Sequence, residues 1–456
     1  MEKTLTMKQI PNIKTELPGP KAKALVARDA AAVSPSYTRD YPLVIARGEG
    51  AVVEDVDGNV FIDLAAGIAV TGTGHAHPDV VKAVTDQAQK FLHMSGTDFY
   101  YELQVRLAEE IGRITPIDGP VRAFFGNSGT EAIEACVKLA RHHSKRHNII
   151  AFLGSFHGRT LGALALTSSK ALQRTGFGPM MPGVFHAPYA NPYRPVVGEP
   201  GEASADAAIA YLEDQIFTHL VSPDEVAAIV VEPVQGEGGY VVPPKAFLQR
   251  LREIADRHGI LLVADEVQSG MGRTGKMFAS EHFDLKPDMV AIAKGIASGL
   301  PLGICAAKAG VMDWKPGAHA STFGGNPISC AAALATIKVL EEGVIRNAAD
   351  VGAYLKGQLT ALMDKHPIIG DVRGLGLMLG VELVKDRKTK ERAVDERSAV
   401  VQEMFKRGIL ILGAGRNAIR FAPPLVLTKD QAETTVRIFS ESLTAVEKQF
   451  AGRPGL

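Results

Sequence analysis

Between about residue 78 and residue 345 this chain of 456 residues alternates short apolar runs with longer amphipathic ones, and that alternation leaves few folds open. Helical spacing lies near 79–93 and 101–113, from 129 onward, and over 245–257. Strand-like runs fall between them, near 121–125 and in "NIIAFL", "VAAIVVEPV", "GILLVAD" and "DMVAIAK". This is the pattern of a mostly parallel sheet covered by helices on both faces, an α/β architecture. Most of the strands end on chemically conspicuous residues: "FFGNSGTEA", "AFLGSFHGRT", "VVEPVQGEGG", "LLVADEVQ" and "AIAKG". In open α/β sheets the ligand crevice lies beyond the carboxyl ends of the strands, so these five tips are expected to converge on one site.

The flanks read differently. Residues 1 to about 40 form an extended, polar, proline-bearing arm, and "GAVVEDVDGNVFIDLAAG" then alternates around the turn signal Asp57-Gly58 as a β-hairpin does. After about 345 the strand-like "VRGLGLMLGVELV", "GILILG" and "AIRFAPPL" precede a final helix near 429–449, an α+β pattern. The expected division is 1–77 as N-terminal arm and hairpin, 78–345 as the large domain, and 346–456 as the C-terminal part of a smaller domain that the N-terminal segment shares. Residues 196–206, "VVGEPGEASAD", are the best candidate for an exposed loop.

Composition removes several function classes. Fifty basic and fifty acidic side chains cancel, which argues against nucleic-acid or membrane-surface binding driven by charge. Cys136, Cys305 and Cys330 lie far apart without ligand spacing, so neither a disulfide framework nor a metal site is expected, and a reducing cytoplasm is the simplest home. Charge and proline interrupt the N-terminus before a signal-peptide core could form, and no later apolar run reaches the ~18 residues of a membrane span.

The segment Leu261–Met277, "LLVADEVQSGMGRTGKM", poses the sharpest choice. Its apolar strand ending on Asp265 and its Gly-x4-Gly-Lys skeleton resemble a nucleotide-hydrolase site. Met277, however, stands where a Ser or Thr must hold magnesium, and the loop follows its supposed partner strand instead of opening the first one. Lys294 offers another reading. It sits at the tip of "DMVAIAK", where it faces either solvent or a ligand crevice, while Asp265 would be costly to bury unpaired. In "GNSGTEA", Ser128, Gly129 and Thr130 stand where a strand meets an amphipathic helix; they suit a simple helix cap or, in company with the lysine and aspartate, a phosphate cradle. A lysine, a carboxylate and a phosphate cradle together are what pyridoxal 5′-phosphate requires.

With "GNSGTEA", "FHGRT", "EPVQGEGG", "LLVADEVQSGMGRTG", "AKGIASGLPLG" and "STFGGNP" in this order, the chain resembles the class III aminotransferases, the 4-aminobutyrate, ornithine and acetylornithine type among fold-type I pyridoxal-phosphate enzymes. The resemblance implies a seven-stranded, mostly parallel sheet in a large cofactor-binding domain beside a smaller α+β domain. It implies that Lys294 forms the Schiff base and shuttles a proton, that Asp265 pairs with the ring nitrogen, that Val267 and Phe156 pack on opposite ring faces, and that Gln268 lies near the phenolic oxygen. Ser128, Gly129 and Thr130 would hold the phosphate, and Thr322 would reach the phosphate of a neighbouring subunit, so a homodimer or tetramer with shared sites is expected.

The same resemblance gives Arg420 an α-carboxylate, Arg159 a distal carboxylate, and Glu237 the task of neutralising Arg420 when the donor has no α-carboxylate. Ile68 is weighed both as a contact to the substrate chain and as a core residue; Glu232 and His157 are read as supporting groups. The implied reaction is ping-pong transamination from an ω-amino donor, 4-aminobutyrate first, with ornithine or acetylornithine next, to 2-oxoglutarate. An amino-acid racemase or epimerase on the same scaffold would keep every cofactor residue and is the alternative.

Overall fold

The computed structural model describes residues 10–451. Its centre is a seven-stranded sheet made of β1 (Val121–Gly126), β2 (Asn148–Phe152), β3 (Val184–Ala187), β4 (Val226–Val231), β5 (Leu261–Asp265), β6 (Met289–Ile292) and β7 (Gly303–Lys308). Their spatial order is β1-β7-β6-β5-β4-β2-β3, and only β7 runs against its neighbours. The expected mostly parallel α/β sheet is therefore present, and it includes β3 and β7, which the apolar pattern did not mark. Both are short or rich in alanine, so their side chains say little before neighbours cover them.

Each strand divides its side chains between two cores, as the period of two requires. Ile149 and Ala151 of β2, Val230 of β4, Val263 of β5 and Cys305 of β7 pack with Ile133, Cys136 and Leu139 of the helix Gly129–Ser144. Ile150, Phe152, Ile229, Val231 and Leu262 turn the other way, toward Phe247, Leu248 and Leu251 of the helix Lys245–His258. Burying each large aliphatic side chain contributes about 1.5–3 kcal/mol, so the sheet is held from both sides and its carboxyl-end tips are rigid supports.

Two smaller sheets join distant parts of the chain. The expected hairpin pairs Val52–Asp55 with Val60–Asp63, and Ile409–Leu410 adds to it in parallel. A fourth strand, Ile45–Glu49, lies on the outer edge. The second sheet pairs Ile369–Leu375, Met378–Asp386, Ala418–Phe421 and Leu412–Ala414, with Glu391–Arg392 at its side. It carries Arg420, placed opposite Gly380. The final helix spans Lys429–Phe450 and is closed at its start by a Thr428–Gln431 capping box.

Two expectations need correction. The arm is not extended throughout, because Pro20–Ala32 is helical; Pro20 sits at the helix start, where a missing N–H costs nothing. Residues 1–9 of that arm lie outside the described residues. The expected loop at 196–206 ends early, since a helix begins at Ala203 and buries Ser204 and Ala205. Among the described residues no helix is long and apolar enough to cross a membrane.

Gly303 opens β7 against the start of the helix Gly129–Ser144. A Cβ there would lie 2.0 Å from the Ser128 carbonyl oxygen, whereas one on Gly357, within the helix Ile345–Ala361, would meet nothing within 4 Å. Gly303→Ala is expected to lose about 1–3 kcal/mol, and Gly357→Ala to gain about 0.4–1 kcal/mol by restricting the unfolded chain. Thermal or urea unfolding of the two variants checks the pair; equal midpoints would refute the close packing assigned to Gly303.

Candidate active site

The site begins at the tip of β5. Asp265 is buried, and its Oδ1 accepts the Val267 N–H at 3.0 Å while its Oδ2 meets His157 Nδ1 at 2.7 Å. Burial alone would lower the His157 pKa; the hydrogen bond and charge of Asp265 outweigh it, and the net shift is upward. The other ring nitrogen, Nε2, is buried without a partner. Glu232, at the tip of β4, accepts the N–H groups of Phe156 and Gly236, each at 3.1 Å. Burial pushes its pKa up to about 7 against the opposing pull of His157.

Lys294 follows β6 by two residues and opens a 3-10 turn with φ at +49°, a conformation that non-glycine residues adopt only when their surroundings enforce it. Burial lowers the pKa of its ammonium, Arg420 adds to the lowering, and Glu237, Asp265 and Glu232 oppose it. A lysine displaced in this direction has more neutral amine available near neutral pH.

The N-terminus of the helix Gly129–Ser144 faces these groups. Ser128 caps it, accepting the Glu131 N–H at 3.4 Å and donating its hydroxyl to the Glu131 carboxylate at 3.0 Å. A Cβ on Gly129 would lie 2.7 Å from Val267, and one on Gly158 would lie 2.3 Å from the Thr130 hydroxyl. Both glycines are thus needed for close approach of the three strand tips. The amide N–H groups of a first helical turn have no carbonyl four residues back, which makes this end an anion seat.

Two cavities meet here. The first, ≈ 430 Å3, is bounded by Ser128–Thr130, Phe156, His157, Asp265, Val267, Gln268 and Lys294. The second, ≈ 440 Å3, is bounded by Ile68, Glu237, Arg397 and Arg420 among others, and shares Phe156, Arg159 and Lys294 with the first. Arg420 is buried and paired with Glu237, whose second oxygen lies 3.8 Å from Lys170. The positive charge of Arg420 overcomes the effect of burial and holds the Glu237 pKa below the usual carboxylate range. Arg159 is exposed, its guanidinium 5.9 Å from the centre of the Phe156 ring.

Twelve of the thirteen candidate site residues therefore border one or both cavities. Thr322 does not: it is exposed on the loop before the helix Pro327–Val339 and borders neither. Ile68 is 39% exposed with φ at +66°, so a core role is excluded. Lys170 and Arg397 border the second cavity without having been singled out, because an isolated basic residue in a polar stretch carries no signal. The loop "GMGRTGK" belongs elsewhere: Arg273 is buried and donates to the Leu377 carbonyl at 3.0 Å and the Pro423 carbonyl at 2.5 Å, while Lys276 is exposed.

Residues 33–443 match the family described as aminotransferase class-III. An alanine/serine racemase of Pyrococcus horikoshii is 42% identical over 443 residues, spanning 95% of this chain and 93% of that protein. A 4-aminobutyrate aminotransferase of Mycobacterium tuberculosis is also 42% identical, over 433 residues, spanning 92% and 95%. The solved structure of the ornithine aminotransferase of Toxoplasma gondii superposes with a TM-score of 0.82 at 30% identity, covering 96% of this chain and 97% of that one.

Glu232 and His157 both bind protons more tightly in the folded chain than in the unfolded one. The stability each contributes is complete below its unfolded pKa and is lost as pH rises through the folded value, about 7 for Glu232. Between pH ~5 and pH ~8 the cofactor-free protein is expected to lose stability, and Glu232→Gln, which removes one of the two titrations, should lose less. Melting both proteins across that range decides it; parallel curves would contradict the burial assigned to Glu232.

Proposed function

This chain belongs to the class III aminotransferases, and on that premise we propose that it moves an amino group from an ω-amino donor, 4-aminobutyrate first and ornithine or acetylornithine next, to 2-oxoglutarate by a ping-pong mechanism. Enzymes of this family depend on pyridoxal 5′-phosphate, and the residues present fit it. The orphaned Nε2 of His157 and Oε1 of Gln268 border the first cavity, Gly129 leaves room that a side chain would fill, and the helix end beside it suits a phosphate. When bound, the cofactor supplies a protonated pyridine ring that accepts the electrons of a substrate carbanion.

The chain's own groups divide the remaining work. Ser128, Gly129 and Thr130 would hold the phosphate, and Asp265, itself fixed by His157, would keep the proton on the ring nitrogen. Val267 and Phe156 would flank the ring, with Gln268 near its phenolic oxygen. Lys294 would anchor the cofactor covalently and, as a free amine, would hold and move a proton at Nζ beside the substrate carbon; its lowered pKa supports this use. Thr322, exposed on its loop, is suited to reach the phosphate site of a second copy, which favours a homodimer or tetramer with shared sites.

The Glu237–Arg420 pair carries the choice of donor. A guanidinium neutralised by its own carboxylate makes no demand for an α-carboxylate, so a donor with a terminal amine can present that amine to Lys294 while Arg159 takes the far carboxylate. When Glu237 leaves Arg420, the same pocket accepts an α-keto acid. A second reading, racemisation, is favoured by the equal identity to the alanine/serine racemase and would use the same groups with the proton returned to the substrate carbon.

A panel of amino donors with 2-oxoglutarate tests the choice: 4-aminobutyrate or ornithine should be consumed and glutamate formed. Sustained formation of a D-isomer from an L-amino acid without keto acid would overturn amino transfer. Lys294→Ala should lose about 10²–10⁴-fold or more in turnover, the share a positioned acid–base supplies, while cofactor held through the phosphate cradle stays bound. Borohydride should fix cofactor onto Lys294 in the unaltered protein only; labelling at another residue would refute the anchor.

A further inference from the structure

The proposed alternation of substrates leaves one charge unaccounted for. A carboxylate as enclosed as Glu237, whose side chain is 12% exposed, cannot lose its guanidinium partner to an incoming ligand without another cation, because an unpaired buried charge is strongly unfavourable. The backbone offers no escape. The Glu237 carbonyl accepts the Gly415 N–H at 2.8 Å, the Gly239 carbonyl accepts Arg373 Nε at 2.9 Å, and the turn is closed by Gly239 N–H to the Gly236 carbonyl at 3.0 Å. Movement is thereby confined to the side chain.

A second cation already stands beside it. Oε1 of Glu237 is on Arg420, and Oε2 lies 3.8 Å from Nζ of Lys170, on the same cavity wall. The Lys170 side chain is 47% exposed, so its stem is free to follow a carboxylate that swings away from Arg420. Arg420 cannot follow, because it is buried on a strand paired on both sides. One partner is fixed and the other mobile.

Resting on the reading of Arg420 as a carboxylate site, we propose that Lys170 is the second seat of the Glu237 carboxylate. It receives Glu237 when a ligand carboxylate occupies Arg420, and so determines how well one cavity takes dicarboxylic ligands as well as those with a single carboxylate. Lys170 acts here through Glu237, as a positioning residue. No covalent step is involved; one ion pair is exchanged for another.

Binding to the cofactor-loaded protein tests this without turnover. Glutarate can engage both Arg159 and Arg420, whereas butyrate has one carboxylate for Arg159. In Lys170→Met, calorimetry should show glutarate weakened about three- to tenfold more than butyrate, and Lys170→Arg should restore it. In a Glu237→Gln background the same Lys170→Met change should cost less than about twofold, since there is no carboxylate to reseat. Glutarate and butyrate weakened alike, or glutarate not weakened at all, would overturn the proposal. So would a loss that persists in the Glu237→Gln background, because Lys170 would then touch the ligand itself. The donor panel answers separately: a protein that passes the binding tests yet transfers no amino group refutes amino transfer and leaves the role of Lys170 standing.

Discussion

A carboxylate buried at the end of a parallel strand has to be answered by hydrogen-bond donors or positive charge, and the arrangement around Asp265 follows from that need. His157 answers on one side at 2.7 Å and the Val267 N–H on the other at 3.0 Å. Glu232 is also drawn to the same imidazole, but burial outweighs that attraction and raises its pKa. A cationic ring nitrogen is the kind of ligand such a pocket favours. The next residue shows the contrast. Glu266 is just as buried but turns away from the cavity, into the hydroxyls of Ser269 and Ser280 and the N–H groups of Ala279 and Ser280. Two adjacent carboxylates thus have opposite surroundings because a strand alternates its faces.

The second cavity depends on contacts between segments that are far apart in the chain. Glu237 comes from the loop after β4 and Arg420 from a strand nearly two hundred positions later, and the Glu237 carbonyl accepts the N–H of Gly415 in the turn before that strand. The Glu237–Arg420 pair is therefore tied to the packing of the second smaller sheet against the central one. Arg273 reinforces the same junction by clamping the carbonyls of Leu377 and Pro423. A segment that resembles a phosphate loop in its letters serves as a structural clasp in the folded chain.

Much of this was legible from the residues. The apolar strands β2, β4, β5 and β6 announced themselves, and so did the helices Gly129–Ser144 and Lys245–His258, because burial on both faces demands continuous apolar runs and amphipathic cover. Strands β3 and β7 did not, since a histidine interrupts the first and the second is built mostly of small residues, so neither offers a continuous bulky apolar run. The helix Pro20–Ala32 was hidden by its leading proline, which favours a helix start as readily as an extended arm. Ile68 looked like a core residue by type and is held on the cavity wall by a positive φ that its side chain does not advertise.

The sequence by itself determined the sheet class, the family and the set of chemically able residues at the strand tips, because periodicity and local motifs survive without a third dimension. Tertiary structure alone decided which of those groups meet. It put His157 on Asp265, Glu237 between Arg420 and Lys170, and Thr322 on an exposed loop away from both cavities of its own chain. The physical reason is that charge pairing and exclusion of water depend on distance through space, and residues more than a hundred positions apart acquire a distance only when the sheet closes.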